Sequence, residues 1–518
     1  MYGGGIGLGI NLWRAALGGL SSSAAALMLG NDTNGLALDF TDSSFSGLTG
    51  FYGSARIKDT TTSANNYNSS PDKAESSLLT YTSPSPKMVM GPSGTLRYQA
   101  HNLFLNSAAP ANQSVTVVSG ATYAVDITGS VTTTLSGATT GTITAGTTTF
   151  TAGSTTLTFG STSGTGTVAV RRTPSDNTYL ATTGSVRYSL PYEWSSAGVL
   201  QGIRVEEQRT NICLQSQNFG DATWIKSGAV TVTGNYAAGP DGTTTAARMV
   251  STGANSVYQT ITVSASTQYT LSFYAKNNGG SRAAYRVYDN TGSADIVGIT
   301  SYFSLINSST YTRITVTFTT PVGCTSVLVY LNSDGSGGAD VIVAQAQLEA
   351  GSFATSPIQT ISASVTRLAD NISLATSAFP DMNTAGTLFA EFMFPVIGLN
   401  RRLIQLNKAQ ASDVTDLYVP SSGNKVSGFA DDTDGTTASP TVTANTTWKA
   451  VIGFTSGAQS RAGTGSAVAT ASAAMTTAYT VLNIGCTVGS SQYTNGYIRK
   501  MYAVPRKKTD SELQADVA

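Results

Sequence analysis

Between Ala121 and Val170 apolar side chains recur in short runs at alternate positions. Tyr123, Val125 and Ile127 alternate with Ala124, Asp126 and Thr128. Val131, Leu135, Ile143, Phe150, Leu157, Phe159, Val168 and Val170 follow, with glycine-bearing turns such as Ser163-Gly164-Thr165-Gly166 between them. A period of two sends successive side chains to opposite faces of a strand. Short strands broken by turns at this spacing predict a small antiparallel β-sandwich over residues 95–172. The alternation returns at Tyr269–Lys276, Ala284–Tyr288, Tyr311–Phe318 and Ser326–Asn332, which predicts a larger jelly-roll sandwich over 203–358. It returns again at Thr387–Phe394, Arg402–Leu406, Trp448–Phe454, Thr480–Ile484 and Gly496–Ala503, which predicts a third sandwich over 359–518. Thr509, three residues before Glu512, has the spacing of a capping box for a short closing helix. The expected fold class is all-β, with tandem antiparallel sandwiches of the jelly-roll type.

The remaining stretches are read as connections. Residues 31–94, rich in Ser, Thr, Asn and Pro, predict an irregular β shoulder, and 173–202 a linker. Residues 1–30 are apolar and glycine-rich. No basic stretch precedes the apolar part, Arg14 interrupts it, and no uninterrupted run is long enough to cross a bilayer. Leu12, Trp13, Leu17 and Leu20 point to a segment that docks into a partner. A secretion signal and a disordered leader are the other readings of this stretch. One pattern occurs twice: TLRYQAHNLFLNS at 95–107 and IRVEEQRTNICLQS at 203–216 each lead through an Asn into an apolar run that ends on Ser. Two related modules opening on one strand are expected.

The chain is poor in groups that do chemistry. It has one histidine, three cysteines and 11% charged residues, and Lys+Arg and Asp+Glu both number 29. That balance provides no basic field for nucleic acid. Cys213, Cys324 and Cys486 lack metal-site spacing and are expected as buried free thiols, which fits a reducing compartment. Glu391 has no second acid at i+2 or i+4, so the paired carboxylates of glycoside hydrolysis are missing on that strand. Glu206 and Glu207 are adjacent and point to opposite faces, where Arg204 or Arg209 can pair with them. His101 lacks a nucleophile partner and is expected capped or buried. Asp431-Asp432-Thr433-Asp434-Gly435 is the one acidic cluster, open between a Ca²⁺ loop and a solvated hairpin. No catalytic residue, metal site or cofactor is expected. Tyr274, Arg286, Tyr288 and Asn332 are candidates for a shallow glycan platform on one sheet, with burial in an interface as the alternative.

Gly202-Ile-Arg-Val-Glu-Glu-Gln-Arg-Thr-Asn211, Gln217-Asn-Phe219, Tyr269–Lys276 and Ala344-Gln-Ala-Gln-Leu-Glu-Ala-Gly-Ser-Phe353 occur in that order. This series resembles the carbohydrate-binding-module-like jelly roll of bacteriophage virion proteins of the fibre and head-spike type. Gly496–Arg506 with Asp510–Leu513 resembles the end of the laminin-G/concanavalin A-like sandwich in the same proteins, and Val365–Asp370 their usual linker. The resemblance covers about 203–518 well and 95–172 loosely. It implies a structural virion subunit assembled in the host cytoplasm, anchored by its N-terminus to capsid, portal, collar or tail. It also implies a homotrimer that makes weak contacts with host-surface glycans, without enzymatic turnover, nucleic acid or membrane insertion. The rival readings are a tailspike depolymerase and a secreted bacterial carbohydrate-binding adhesin.

Overall fold

A computed structural model describes residues 36–41, 54–56, 79–82, 85–334, 336–375, 382–408, 414–430, 433–436, 441–473, 479–487 and 492–518. Leu12, Trp13, Leu17, Leu20, Asp431 and Asp432 lie outside them. Three β-sandwiches are present, as the alternation predicts, and the single α-helix among the described residues is Asp510–Val517. Thr509 and Glu512 form the expected capping box, with Thr509 N–H donating to Glu512 Oε2 at 2.7 Å. No helix among the described residues is long and apolar enough to cross a membrane.

The small sandwich packs a four-stranded sheet against a three-stranded one. Gln113–Thr116, Thr156–Ser163, Thr132–Gly137 and Gly141–Ile143 make the first. Gly146–Thr151, Thr122–Ile127 and Val168–Arg172 make the second. Val125, Val131, Leu157, Phe159 and Val170, all inward members of the alternation, fill the space between. In the jelly roll the long strand Ala246–Thr262 serves both layers. Its first part pairs with Asp340–Ala350 and its last part with Ser326–Asp334.

The repeated sequence has one repeated role. Asn102 Oδ1 accepts from the N–H groups of Phe104 and Val170, both at 3.0 Å, and its amide donates to the carbonyls of Val168 (3.3 Å) and Leu180 (2.9 Å). Asn211 accepts from Cys213 and Leu348, both at 3.0 Å, and donates to Ala346 (3.1 Å) and Ile358 (2.8 Å). Each asparagine ties the opening of its module to the last strand and to the segment beyond it. Gln113 on Leu105 and Gln259 on Leu214 repeat a second latch, each binding both the N–H and the carbonyl of its leucine. An isolated asparagine latch would be a local accident. Two latches in matching places make the modules copies of one framework.

The C-terminal sandwich corrects the expected boundaries. Its first sheet takes in Leu36–Asp39, Tyr192–Trp194 and Leu200–Val205 beside Gly496–Val504, Ala385–Met393 and Thr447–Thr455. Its second sheet begins with Thr80–Thr82 on Asn371–Ala375. Of the predicted shoulder, the described strands Leu36–Asp39 and Thr80–Thr82 therefore belong to this sandwich, and of the predicted linker Tyr192–Trp194 does. The jelly roll does not open at residue 203, because Ile203–Val205 pair with Gly496–Ile498. Partners some 300 residues away leave no local trace in the alternation. The hairpin of Met88–Met90 and Leu96–Tyr98 lies instead on the jelly roll, where Met88, Leu96 and Tyr98 pack on Ala246, Tyr274, Ile342 and Ala344.

A buried ionic cluster joins these parts. Lys87 Nζ donates to Asp370 Oδ2 and to the Arg204 carbonyl, both at 2.6 Å, and pairs with Glu206 Oε2 at 2.9 Å. Arg204 Nε meets Glu206 Oε1 at 2.7 Å, and Ser356 donates to both Glu206 oxygens. Burial alone would raise the Glu206 pKa. Arg204, Lys87 and Arg367, with the Ser356 hydroxyl, hold it well below the usual carboxylate range. Glu207 pairs with Arg209 at 2.5 Å. Both glutamates of the adjacent pair are thus in ion pairs.

Candidate functional site

One row of side chains crosses the outer face of a jelly-roll sheet. Ladder register places Ile225 opposite Tyr258, Tyr258 opposite Tyr330, and Tyr330 opposite Arg286. Side chains opposite one another on paired strands share a face. Val327, Val329 and Val287 take the other face, in the core. Tyr288, two residues after Arg286, joins the row. The Tyr258 and Tyr330 rings lie 4.8 Å apart, and the Arg286 guanidinium sits 4.6 Å from the Tyr288 centroid and 5.4 Å from that of Tyr330. Asp295 holds Arg286 Nε at 2.5 Å. Tyr258, Arg286 and Tyr288 are half-buried, and Ile225 is exposed. Rigid rings with an oriented guanidinium offer flat apolar faces and charged donors at little entropic cost.

Of the four predicted platform residues, Arg286 and Tyr288 lie in this row. Tyr274 does not: its strand lies in the other layer, and the hairpin at 88–98 covers it. Asn332 is also excluded. A bulge sets it opposite the core residue Val257, so it turns inward. It is fully buried, and its amide finds no hydrogen-bond partner among the described residues. Tyr258 and Tyr330 were missed. Each lies in an alternating run, but only the register reveals that the two rings meet.

The other candidates have structural partners. Glu391 accepts from Arg499 Nε at 3.0 Å. All three cysteines are buried and unpaired, as expected. Of the acidic cluster, Thr433 and Asp434 fall in the strand Thr433–Thr436. His101 is buried, with Nδ1 2.7 Å from the Gln99 carbonyl and Nε2 accepting the Arg172 N–H at 2.8 Å. Burial, with Arg171 and Arg172 nearby, lowers its pKa to about 4 against the pull of the Gln99 carbonyl. The unfolded chain protonates His101 near pH 6.5, whereas the folded chain resists until about pH 4. Its contribution is complete above pH 6.5 and falls away as the pH drops towards 4, by about 3 kcal/mol in all. Urea unfolding of the wild type and His101→Gln at pH 7 and pH 4.5 measures it. The wild type is expected to lose more stability than the variant by an amount approaching that figure.

No protein-family model matches the chain, and no curated protein does. Among solved structures, the tandem of two CBM22 domains at the N-terminus of Xyn10C from Paenibacillus barcinonensis is 12% identical. It covers 61% of this chain and 96% of its own, with a TM-score of 0.23. Domains LG4-5 of the mouse laminin alpha1 chain are 9% identical over 48% of this chain and 84% of their own, with a TM-score of 0.21. Likeness at that level carries no argument about function. The class rests on the strand pairings: this is an all-β protein of tandem antiparallel sandwiches.

Proposed function

We propose that this chain is a structural, adhesive subunit of a bacteriophage virion, of the fibre or head-spike kind, that acts by holding and binding rather than by turnover. The single observation that carries the adhesive part is the half-buried row of Tyr258, Arg286 and Tyr288, set against the buried Tyr330 ring on one sheet. Such a face suits the apolar side of sugar rings in a surface glycan. The virion part rests on the ordered resemblance from Gly202 to Phe353 and from Gly496 to Leu513. Residues ahead of Leu36 would anchor the subunit to capsid, portal, collar or tail. Leu36–Asp39 lies on the C-terminal sandwich, so that sandwich would sit at the base with the jelly roll held outward. A homotrimer would present three platforms, and avidity of roughly 10²–10⁴ would make weak single sites useful.

An array of bacterial surface polysaccharides tests the reading. Tyr258→Ala and Tyr288→Ala are each expected to weaken binding about tenfold, which is about 1.4 kcal/mol, with unchanged thermal unfolding. Equal binding by all three proteins would remove the platform. New reducing ends released from a polysaccharide would favour a depolymerase instead.

A further inference from the structure

Two adjoining cavities, of about 490 and 320 Å³, lie where the small sandwich meets the jelly roll. Arg172 and Gln359 border both. The size suits a ligand of a few rings. The larger cavity is walled by Tyr98, Tyr123 and Tyr188 with aliphatic neighbours, and the smaller by Gln217, Asn218 and Asp241. The larger reaches solvent past Val118 and Val186, both exposed.

Arg172 is the unusual member. It is 7% exposed, and among the described residues its guanidinium makes no hydrogen bond and no ion pair. The face of Tyr98 lies 5.0 Å from it. The other buried arginines differ. Arg171 pairs with Asp126 at 2.6 Å, Arg204 pairs with Glu193 and Glu206, and Arg401 donates to backbone carbonyls. With none of its donors used by the protein, the guanidinium is open to a ligand in the cavities that it borders. The fold does not call for it. Arg172 stands opposite Tyr123, and the matching place in the jelly roll, opposite Tyr269, holds Ala350.

We propose that this cleft binds a carboxylate-bearing sugar, with the carboxylate on Arg172, the ring face on the tyrosines and the hydroxyls in the polar chamber. A guanidinium matches a carboxylate with two parallel hydrogen bonds. Asp241 does not neutralise Arg172. Its carboxylate is taken by the side-chain amides of Gln217 (2.8 Å) and Gln345 (3.1 Å). A fixed acid in the smaller chamber also disfavours a multiply charged phosphate or sulfate. Gln359 is poised for a sugar hydroxyl: Tyr98 donates to its Oε1 at 2.8 Å, and its amide nitrogen has only long contacts, 3.4 Å to Asp241 and 3.9 Å to Met88 Sδ. The site is separate from the Tyr258–Tyr288 platform and does not depend on it.

Calorimetric titration of the full chain with uronic-acid trisaccharides, their carboxyl-reduced counterparts, benzoate and inorganic phosphate tests the assignment. A uronate is expected to saturate a single site, and its reduced counterpart to bind at least tenfold more weakly. Arg172→Gln is expected to lose at least tenfold in uronate affinity while unfolding at the same or a higher temperature. Val118→Trp, at the exposed mouth, is expected to block binding without altering stability, which keeps the test sound if the arginine variant folds poorly. Equal affinity for the reduced sugars, binding of benzoate or phosphate in place of uronate, or no uronate binding at all would overturn the proposal.

Discussion

Residues 359–518 expressed alone are expected to remain unfolded. The alternation in that stretch reads as a complete sandwich, but ten core side chains come from upstream, among them Leu36, Leu38, Phe40, Tyr192, Trp194, Ile203 and Val205. At roughly 1.5–3 kcal/mol for each large apolar side chain withdrawn from water, their loss exceeds the roughly 5–15 kcal/mol by which a domain is stable. Removing Leu36–Asp39 and Leu200–Val205 also bares one edge of Gly496–Val504 along most of its length. Circular dichroism and limited proteolysis of the fragment should show no cooperative transition. A sharp melt of 359–518 by itself would contradict the shared core.

The second large effect is expected at Lys87. Replacing it with Met leaves Asp370 and Glu206 buried at the junction with less positive charge. Breaking a buried ion pair on one side costs about 3–5 kcal/mol, so Lys87→Met should lower the unfolding free energy by that amount in a guanidinium titration. Arg204 and Arg367 still face Glu206, which places the effect near the lower figure. Adding Asp370→Asn should recover part of the loss by removing one stranded charge. Tyr81 donates to Asp370 Oδ1 at 2.8 Å, and the amide can keep that bond through its oxygen. A loss below about 1 kcal/mol for Lys87→Met would mean that the remaining arginines neutralise the cluster unaided.

Local pattern carried far in this chain. The inward residues of 121–170, the Thr509–Glu512 cap and the pairs Arg204–Glu206 and Arg209–Glu207 rest on residues close in sequence, and the twice-used asparagine shows as a repeated motif. Arg286 and Tyr288 were legible for the same reason, being two apart on one strand. What stayed hidden depends on distant pairing. Tyr274 has the right spacing for an open face, yet the hairpin at 88–98, about 180 residues earlier, covers it. Asn332 lies on the expected strand, but a bulge opposite Val257 turns it inward. The approach of Tyr258 to Tyr330 follows from register between strands that no motif announces. Arg172 has no motif around it, and the cavities it borders are lined by segments distant in sequence.

Leu36 lies opposite Ala503, so the first described strand and the last long one close a ring around nearly everything between them. Tension applied at residue 36 and residue 504 would meet at that clasp and peel its short ladder one rung at a time. The jelly roll and the small sandwich would stay slack until it opened. Such a pull would therefore spare the Tyr258–Tyr288 row and the interdomain cleft, and the clasp would act as the fuse.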